Sequence, residues 1–106
     1  MVKRGEIWLI NLDPTVGSEI RKSRPCLVVS PAELHDHLRT VMVAPMTSKG
    51  FPAPFRVPIR FQGTSGLLLL DQIRALDKQR LIKRLGSAHA STLDQTLSVL
   101  RQLFET

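Results

Sequence analysis

The chain has 106 residues, 42% of them hydrophobic, which is enough for one domain with a modest core. No apolar run approaches the roughly 20 residues that a membrane-spanning helix needs, and the N-terminus does not resemble a signal peptide. The single cysteine, Cys26, excludes an internal disulfide. Because it lies in an apolar segment, we expect an inert buried thiol in a cytoplasmic protein.

The basic charge of the chain is unevenly distributed. The net charge is +6, and fourteen of the fifteen Lys and Arg residues precede Leu85, together with seven of the nine Asp and Glu residues. Such an excess permits a polyanionic partner, of which nucleic acid is the commonest. Charge alone does not select a function, because many solvated surfaces are basic.

Short apolar segments separated by turns rich in glycine and proline predict a mainly β chain over residues 1–106, folded as a single domain. Strands are expected at Glu6–Leu12, Cys26–Ser30, Thr40–Met46, Phe55–Phe61, Leu67–Leu70 (continuing through Asp71–Ala75) and Leu81–Leu85. Between them, Pro31–His37 and Asp77–Arg80 suit single helical turns, and Gln62–Gly66 suits a turn.

Two of these strands have distinctive patterns. Glu6–Leu12 is apolar on both faces, which predicts a central strand. Phe55–Phe61 alternates between apolar and polar residues, and Pro58 points outward, which predicts an edge strand.

One helix is predicted at the C-terminal end. Ser91 and Asp94 have the spacing of a capping box. An apolar face follows at helical spacing, formed by Leu93, Leu97, Leu100, Leu103 and Phe104. We therefore expect a small curled sheet or barrel with a helix packed on it.

The segment between the first two strands is long for a hairpin connection, and long ordered loops are usually functional. It carries Glu19, Arg21, Lys22 and Arg24. Pro25 pushes Arg24 into an extended conformation, so its planar fork of donors would sit at the start of a strand, where it suits a phosphate. A basic loop that only connects two strands is an equal alternative.

A second candidate anion site follows the third strand. Thr47, Ser48 and Lys49 precede Gly50, so hydroxyls, backbone N–H groups and an ammonium would meet at the end of the sheet. A plain polar turn is the alternative. Metal binding is not expected, because the three histidines, at positions 35, 37 and 89, have no ligand spacing and are expected to be exposed in loops.

A series of motifs resembles the MazF/PemK family of toxin endoribonucleases. They stand in the family's order along nearly the whole chain, at Arg4–Leu9, Asp13–Thr15, Gly17–Glu19, Ser23–Pro31, Ala44–Ser48 and Leu70–Arg74. The resemblance implies a mainly β fold with a C-terminal helix, namely the SH3-like small barrel shared by MazF and CcdB toxins.

The resemblance also implies an activity. MazF/PemK toxins cut single-stranded RNA without a metal or other cofactor, at a short sequence, through attack of the 2′-OH on the adjacent phosphate. It further implies a homodimer and a cognate antitoxin of the MazE/PemI kind. We expect the terminal helix or the third strand in or near the dimer interface.

The family's catalytic residues fall on Arg24 and Thr47. Arg24 would stabilise the charged phosphorane, and Thr47 would position the scissile phosphate. The family's loop glutamate falls on Glu19, expected in base recognition or as a proton acceptor. Further RNA contacts are expected from Ser18, Arg21, Lys22, Ser48, Lys49, Gln72 and Arg74.

Two departures separate this chain from the PemK (Kid) branch of the family. That branch has a histidine at the position of Ser18 and an arginine near Leu69, so its acid–base scheme does not transfer, and the Gly-Ser-Glu motif is closer to the MazF branch. Asp71 matches the family motif, but in a predicted strand flanked by leucines it also suits a structural role. A gyrase-binding toxin of the same fold and an SH3-like RNA-binding module are the alternative functions, although the Trp-Gly-Ile C-terminus associated with gyrase binding is absent.

Overall fold

Strands dominate the computed structural model, which describes all residues from 1 to 106. The elements are β1 (Glu6–Asn11), β2 (Ser23–Val28), α1 (Ala32–His35), β3 (Thr40–Thr47), β4 (Arg56–Phe61), β5 (Thr64–Leu69), β6 (Arg74–Asp77), β7 (Leu81–Ser87) and α2 (Ala90–Leu103), with 3₁₀ turns at Leu70–Gln72 and Lys78–Arg80. The mainly β fold with a C-terminal helix is confirmed. No helix is long and apolar enough to cross a membrane.

The strands form one curled antiparallel sheet in the order β4-β5-β3-β2-β1-β7, with β6 paired to β3 off this path. Strand β3 organises the sheet. One of its edges pairs with β2, while the other pairs first with β6, over Thr40–Val43, and then with β5, at Met46 and Thr47. The 3₁₀ turn at Leu70–Gln72 lies between β5 and β6 and lets both follow the same edge.

Both faces of the sheet are buried. Because successive side chains of a strand point to opposite faces, Leu27 belongs to one hydrophobic cluster while Cys26 and Val28 belong to the other. Val99 and Leu100 of α2 cover the first cluster. Strand β1 contributes to both clusters and lies between β2 and β7, so its predicted central place is confirmed, as is the edge position of β4.

Three features of the predicted sheet differ most from the structure. Strand β2 begins at Ser23, earlier than expected, because its pairing with β1 continues to that residue. Pro25 has no backbone N–H to donate, and this is tolerated because β3 does not pair with it. The turn predicted over Gln62–Gly66 is only Gln62–Gly63, whose φ angles of 52° and 77° give a tight hairpin turn. The run from Leu67 to Ala75 is two strands rather than one, because the 3₁₀ turn interrupts it.

The beginning and end of α2 also differ from the prediction. The helix starts at Ala90, with His89 as its N-cap residue and no side-chain cap, so Ser91 lies inside the first turn and the capping box does not form. At the other end, Leu103 and Phe104 are 43% and 75% exposed, because the apolar stripe continues beyond the part of the helix that the sheet covers.

His35 was wrongly expected to be exposed. It lies in α1 and is fully buried. Its Nε2 is 2.9 Å from the carbonyl oxygen of Val2, and its Nδ1 is 2.9 Å from Ser30 Oγ. Since a carbonyl oxygen only accepts, we assign the proton to Nε2, and Nδ1 accepts the Ser30 hydroxyl. The ring therefore joins the N-terminus to the β2–α1 connection. His37 and His89 are exposed as expected.

Candidate active site

The two residues expected to be catalytic come together where β2 begins and β3 ends. Cys26 pairs with Pro45 in the antiparallel ladder between these strands. Continuing that register by two residues brings Arg24 level with Thr47. Both are half-buried, and both line one cavity of about 230 Å³.

The other wall of this cavity is the β4–β5 hairpin, which was not identified from the sequence. It contributes Gln62, Thr64, Ser65 and Gly66. These amide, hydroxyl and backbone groups stand beside the apolar side chains of Met46 and Phe61, a mixed lining that suits a nucleotide. The polar Thr-Ser pair beside a Gln-Gly turn is visible in the sequence, but nothing local shows that this turn folds against the end of β3.

Gly66 lets the hairpin approach Thr47 closely. A Cβ atom at this position would lie 2.5 Å from the backbone oxygen of Thr47, a distance that no side chain can tolerate. The absence of a side chain at Gly66 therefore fixes where Thr47 lies relative to the cavity.

Most hydrogen-bond donors of the Arg24 side chain have no partner. Its Nε donates to the backbone oxygen of Arg21 at 2.9 Å, whereas its Nη atoms have no hydrogen-bond partner. Neither of the two arginine–carboxylate ion pairs of the chain includes it. A half-buried guanidinium with four free N–H groups and no carboxylate is a strong site for an anion.

The Cys26 thiol lies below this site and is chemically quiet. Burial raises its pKa to about 12, although the positive charges of Arg24 and Arg74 oppose the rise. The thiol therefore stays protonated and non-nucleophilic at neutral pH, and the expectation of a buried cysteine is confirmed.

Thr47 is held in a defined turn. Its Oγ1 accepts the backbone N–H of Lys49 at 3.1 Å, which leaves the hydroxyl hydrogen free to donate. Ser48 lines the same cavity, whereas Lys49 is exposed beside it. The turn thus presents one oriented hydroxyl to the cavity and one ammonium to the surrounding solvent.

Glu19 lies in a second cavity of about 280 Å³, together with Gln72 and Arg74. Glu19 Oε1 accepts the backbone N–H of Val16 at 2.7 Å, and Gln72 Oε1 accepts that of Ile20 at 2.7 Å. The β1–β2 loop is therefore tied to the 3₁₀ turn. The structure separates Glu19 from the cavity of Arg24 and Thr47.

The remaining residues expected to contact RNA lie outside both cavities. Ser18, Arg21 and Lys22 are exposed on the β1–β2 loop. Arg21 Nη2 donates only to the backbone oxygen of Gly17, at 3.3 Å. These side chains therefore line neither cavity.

Asp71 is occupied by another side chain. Arg56 Nε donates to Asp71 Oδ1 at 3.3 Å, and Arg56 Nη2 donates to Oδ2 at 3.2 Å. With both oxygens engaged by a guanidinium, the carboxylate serves the structural role that was one of its two expected uses. No group of three or more His, Cys, Asp or Glu side chains is placed to hold a metal ion.

The fold and this site define a toxin of a type II toxin–antitoxin system. Residues 3–104 match the family described as the PemK-like, MazF-like toxin of type II toxin–antitoxin systems. The chain belongs to this family, and the resemblance seen in its motifs is confirmed.

Similar proteins support the assignment over the full length of the chain. Endoribonuclease PemK from Escherichia coli is 39% identical over 105 residues, covering 93% of this chain and 79% of the relative. Endoribonuclease EndoA from Bacillus subtilis is 30% identical and covers 95% and 92%. The crystal structure of MazF from Deinococcus radiodurans superposes with a TM-score of 0.85 at 32% identity, over 96% of this chain and 94% of that one.

Solved structures also include a complex. The MazE–MazF structure from Deinococcus radiodurans has a TM-score of 0.80 at 28% identity and covers 99% of this chain and 96% of that one. The similarity extends through the loop-rich cavity region, since nearly all of both chains is included.

Proposed function

We propose that the chain is a toxin endoribonuclease that cuts single-stranded RNA at a short sequence, without a metal, and thereby inhibits translation. The observation that carries this proposal is the pairing of Arg24, whose Nη donors are free, with the oriented hydroxyl of Thr47 in one polar cavity. The naming of the relatives as endoribonucleases supports the same activity.

The proposed reaction is an internal transfer at phosphorus. The 2′-oxygen bonds to the adjacent phosphorus as its proton passes to water, and the bond from phosphorus to the 5′-oxygen breaks as that oxygen takes up a proton from water. The products carry a 2′,3′-cyclic phosphate and a 5′-OH. Arg24 stabilises the charged phosphorane and assists the leaving 5′-oxygen, while Thr47 holds the scissile phosphate by a hydrogen bond.

Glu19 is assigned to base recognition rather than to proton transfer. It lies in the neighbouring cavity, and one of its oxygens already accepts a backbone N–H. Gln72 and Arg74 share that cavity, so an amide, a carboxylate and a guanidinium are available to a base or phosphate adjacent to the cut.

Cleavage of a long single-stranded RNA, followed by end-group analysis, tests this function. We expect cutting to be unchanged in EDTA and to leave a 5′-OH on each fragment. Loss of activity in EDTA, or a 5′-phosphate on the product, would contradict the mechanism. Variants in which His37 or His89 is replaced by alanine should cut normally, because both side chains are exposed outside the two cavities.

We further propose that the chain acts in the cytoplasm as a homodimer, and that an acidic, partly disordered segment of a MazE/PemI-like antitoxin blocks the groove. The net charge of +6 and the MazE complex of the Deinococcus radiodurans relative support such a partner.

Co-expression with the product of the adjacent small gene should restore growth, and light scattering at micromolar concentration should show a dimer. A monomer, or a neighbour that does not bind, would contradict these assignments.

A further inference from the structure

Phe51 is an exposed aromatic residue on the loop that connects β3 to β4. Its side chain is 66% exposed, although most large apolar residues of the chain are buried. The guanidinium carbon of Arg56 lies 4.4 Å from the centroid of the Phe51 ring. Arg56 Nη1 also donates to the backbone oxygen of Phe51 at 3.3 Å. The ring is therefore covered on one side by a cation and is open to solvent elsewhere.

The cation beneath the ring is itself fixed. The side chain of Arg56 is only 13% exposed, and it makes the two-point contact with Asp71 described above. Arg56 also lies 5.8 Å from the centroid of Phe55. Because the support is immobile, the ring is held in place without joining the hydrophobic core, which lowers the entropy cost of using it as a binding surface.

Arg56, which supports the Phe51 ring, lies close to the proposed active site. A Cβ atom placed on Gly50 would lie 3.6 Å from Arg56 Nη1 and 3.7 Å from Thr47 Cγ2. Gly50 has a φ of 119°, a conformation that L side chains rarely adopt, so the loop makes a tight bend here. This bend places the platform immediately beside the threonine that is proposed to hold the scissile phosphate.

We infer that Phe51, supported by Arg56 and Asp71, is a stacking platform for one RNA base next to the cut. This inference rests on the proposed ribonuclease function. Single-stranded RNA is commonly bound by stacking of unpaired bases on aromatic side chains, and every base has a face that can stack. The platform therefore adds affinity at one nucleotide position and depends little on which base is there.

Binding of short RNA oligonucleotides tests the platform. The probes contain the cut site mapped for the wild-type protein, and each carries an abasic nucleotide at a different position. Arg24→Ala serves as the background so that the probes stay intact. On the complete RNA, Phe51→Ala should weaken binding by about tenfold, and Phe51→Trp should keep it. On the one probe that lacks the stacked base, Phe51→Ala should cause no further loss.

A matched control is Phe104→Ala, which removes another exposed ring, at the end of α2 and outside both cavities. It should bind every probe as the background protein does. If Phe51→Ala binds the complete RNA as tightly as the background protein does, the ring has no role in binding. If Phe51→Ala lowers affinity by the same factor on every abasic probe, the ring only supports the loop. Either result refutes the platform. If the wild-type protein cuts no RNA, the proposed function itself fails, so the two failures are distinguishable.

Discussion

Four arginines of this protein form two groups that differ in their hydrogen-bond partners. Arg56 and Arg84 each face a carboxylate, namely Asp71 and Glu6. Arg24 and Arg74, which line the two cavities, donate only to backbone oxygens. A cation with a carboxylate partner maintains the fold, whereas a cation without one retains its charge for a ligand. Together with the place of Arg24 and Arg74 in the two cavities, this difference indicates the anion site more sharply than the net charge does.

Glu6 shows how completely the first group is satisfied. It accepts the backbone N–H of Lys3 at 2.8 Å, Trp8 Nε1–H at 3.2 Å and Arg84 Nε–H at 2.7 Å. Burial alone raises the pKa of this carboxyl, but the three donors and the charge of Arg84 together outweigh burial and hold the pKa below its ordinary value. Both carboxylate oxygens of Glu6 are therefore engaged within the protein.

The largest expected effect comes from removing the unpaired arginine of the first cavity. Arg24→Ala should lower the cleavage rate on the order of 10²–10³-fold, by analogy with the loss of a donor to a developing oxyanion. Arg24→Lys should also be slow, because an ammonium lacks the planar fork. The measurement is RNA cleavage by folded protein, with Arg39→Ala as an exposed arginine control. An Arg24→Ala variant that cleaves RNA as fast as wild type would contradict the catalytic role of Arg24.

A comparably large loss is expected from Gly66→Ala, which adds a methyl group where the backbone of Thr47 now lies. Displacement of Thr47 should slow cleavage by about 10²-fold, the order expected when a positioning group moves by roughly an ångström. Thr47→Ala should slow cleavage too, and Thr47→Ser should retain more activity.

The same glycine substitution in a Thr47→Ala background is the internal control, because a hydroxyl that is already absent cannot be displaced. Equal losses from Gly66→Ala in both backgrounds would show that the glycine acts elsewhere.

Salt dependence sharpens the comparison between the two groups of arginines. If about four phosphates are neutralised, the logarithm of RNA affinity should fall with the logarithm of salt concentration with a slope of roughly −3, the value for single strands. Arg74→Gln should make the slope shallower by about 0.7, because this arginine has no carboxylate partner. Arg84→Gln should leave it unchanged. A flat dependence for the parent protein would rule out an electrostatic groove.

The smallest effect concerns the pH dependence of stability. Because the pKa of Glu6 is lower in the folded than in the unfolded chain, its contribution to stability is complete above the ordinary value of about 4.5 and is lost as the pH falls through the folded value. The melting temperature should therefore drop on acidification below about pH 4.5, and less steeply in Glu6→Gln. The exposure of Arg84 keeps this effect modest. If the melting temperatures of wild type and Glu6→Gln fall equally with pH, Glu6 does not contribute to the acid sensitivity.

Local patterns were sufficient to predict most of the strands. The alternation of Phe55–Phe61 and the two apolar faces of Glu6–Leu12 depend only on neighbouring residues, and both strands have the expected positions in the sheet. These two results rest on short stretches of chain. Arg24 and Thr47, by contrast, were paired through the family resemblance, because the local pattern left a plain loop and a plain turn as equal alternatives; both residues line one cavity.

The features that were missed depend on contacts between distant residues. The burial of His35 requires the carbonyl of Val2, and the occupation of Asp71 requires Arg56. Likewise, Gly66 is informative only because the hairpin packs on Thr47. No periodic pattern in the sequence predicts such contacts, because they are created by the curvature of the sheet rather than by neighbouring residues.

The double pairing of β3 has a consequence for motion. Its backbone is hydrogen-bonded along both edges, to β2 on one side and to β6 and β5 on the other. Its amide protons should therefore exchange with solvent only when the whole sheet opens. Thr47 ends this protected strand, whereas Arg24 is preceded by an exposed loop that can open locally. One half of the site is thus as slow to move as the fold itself, and the other half can adjust to the RNA each time it binds.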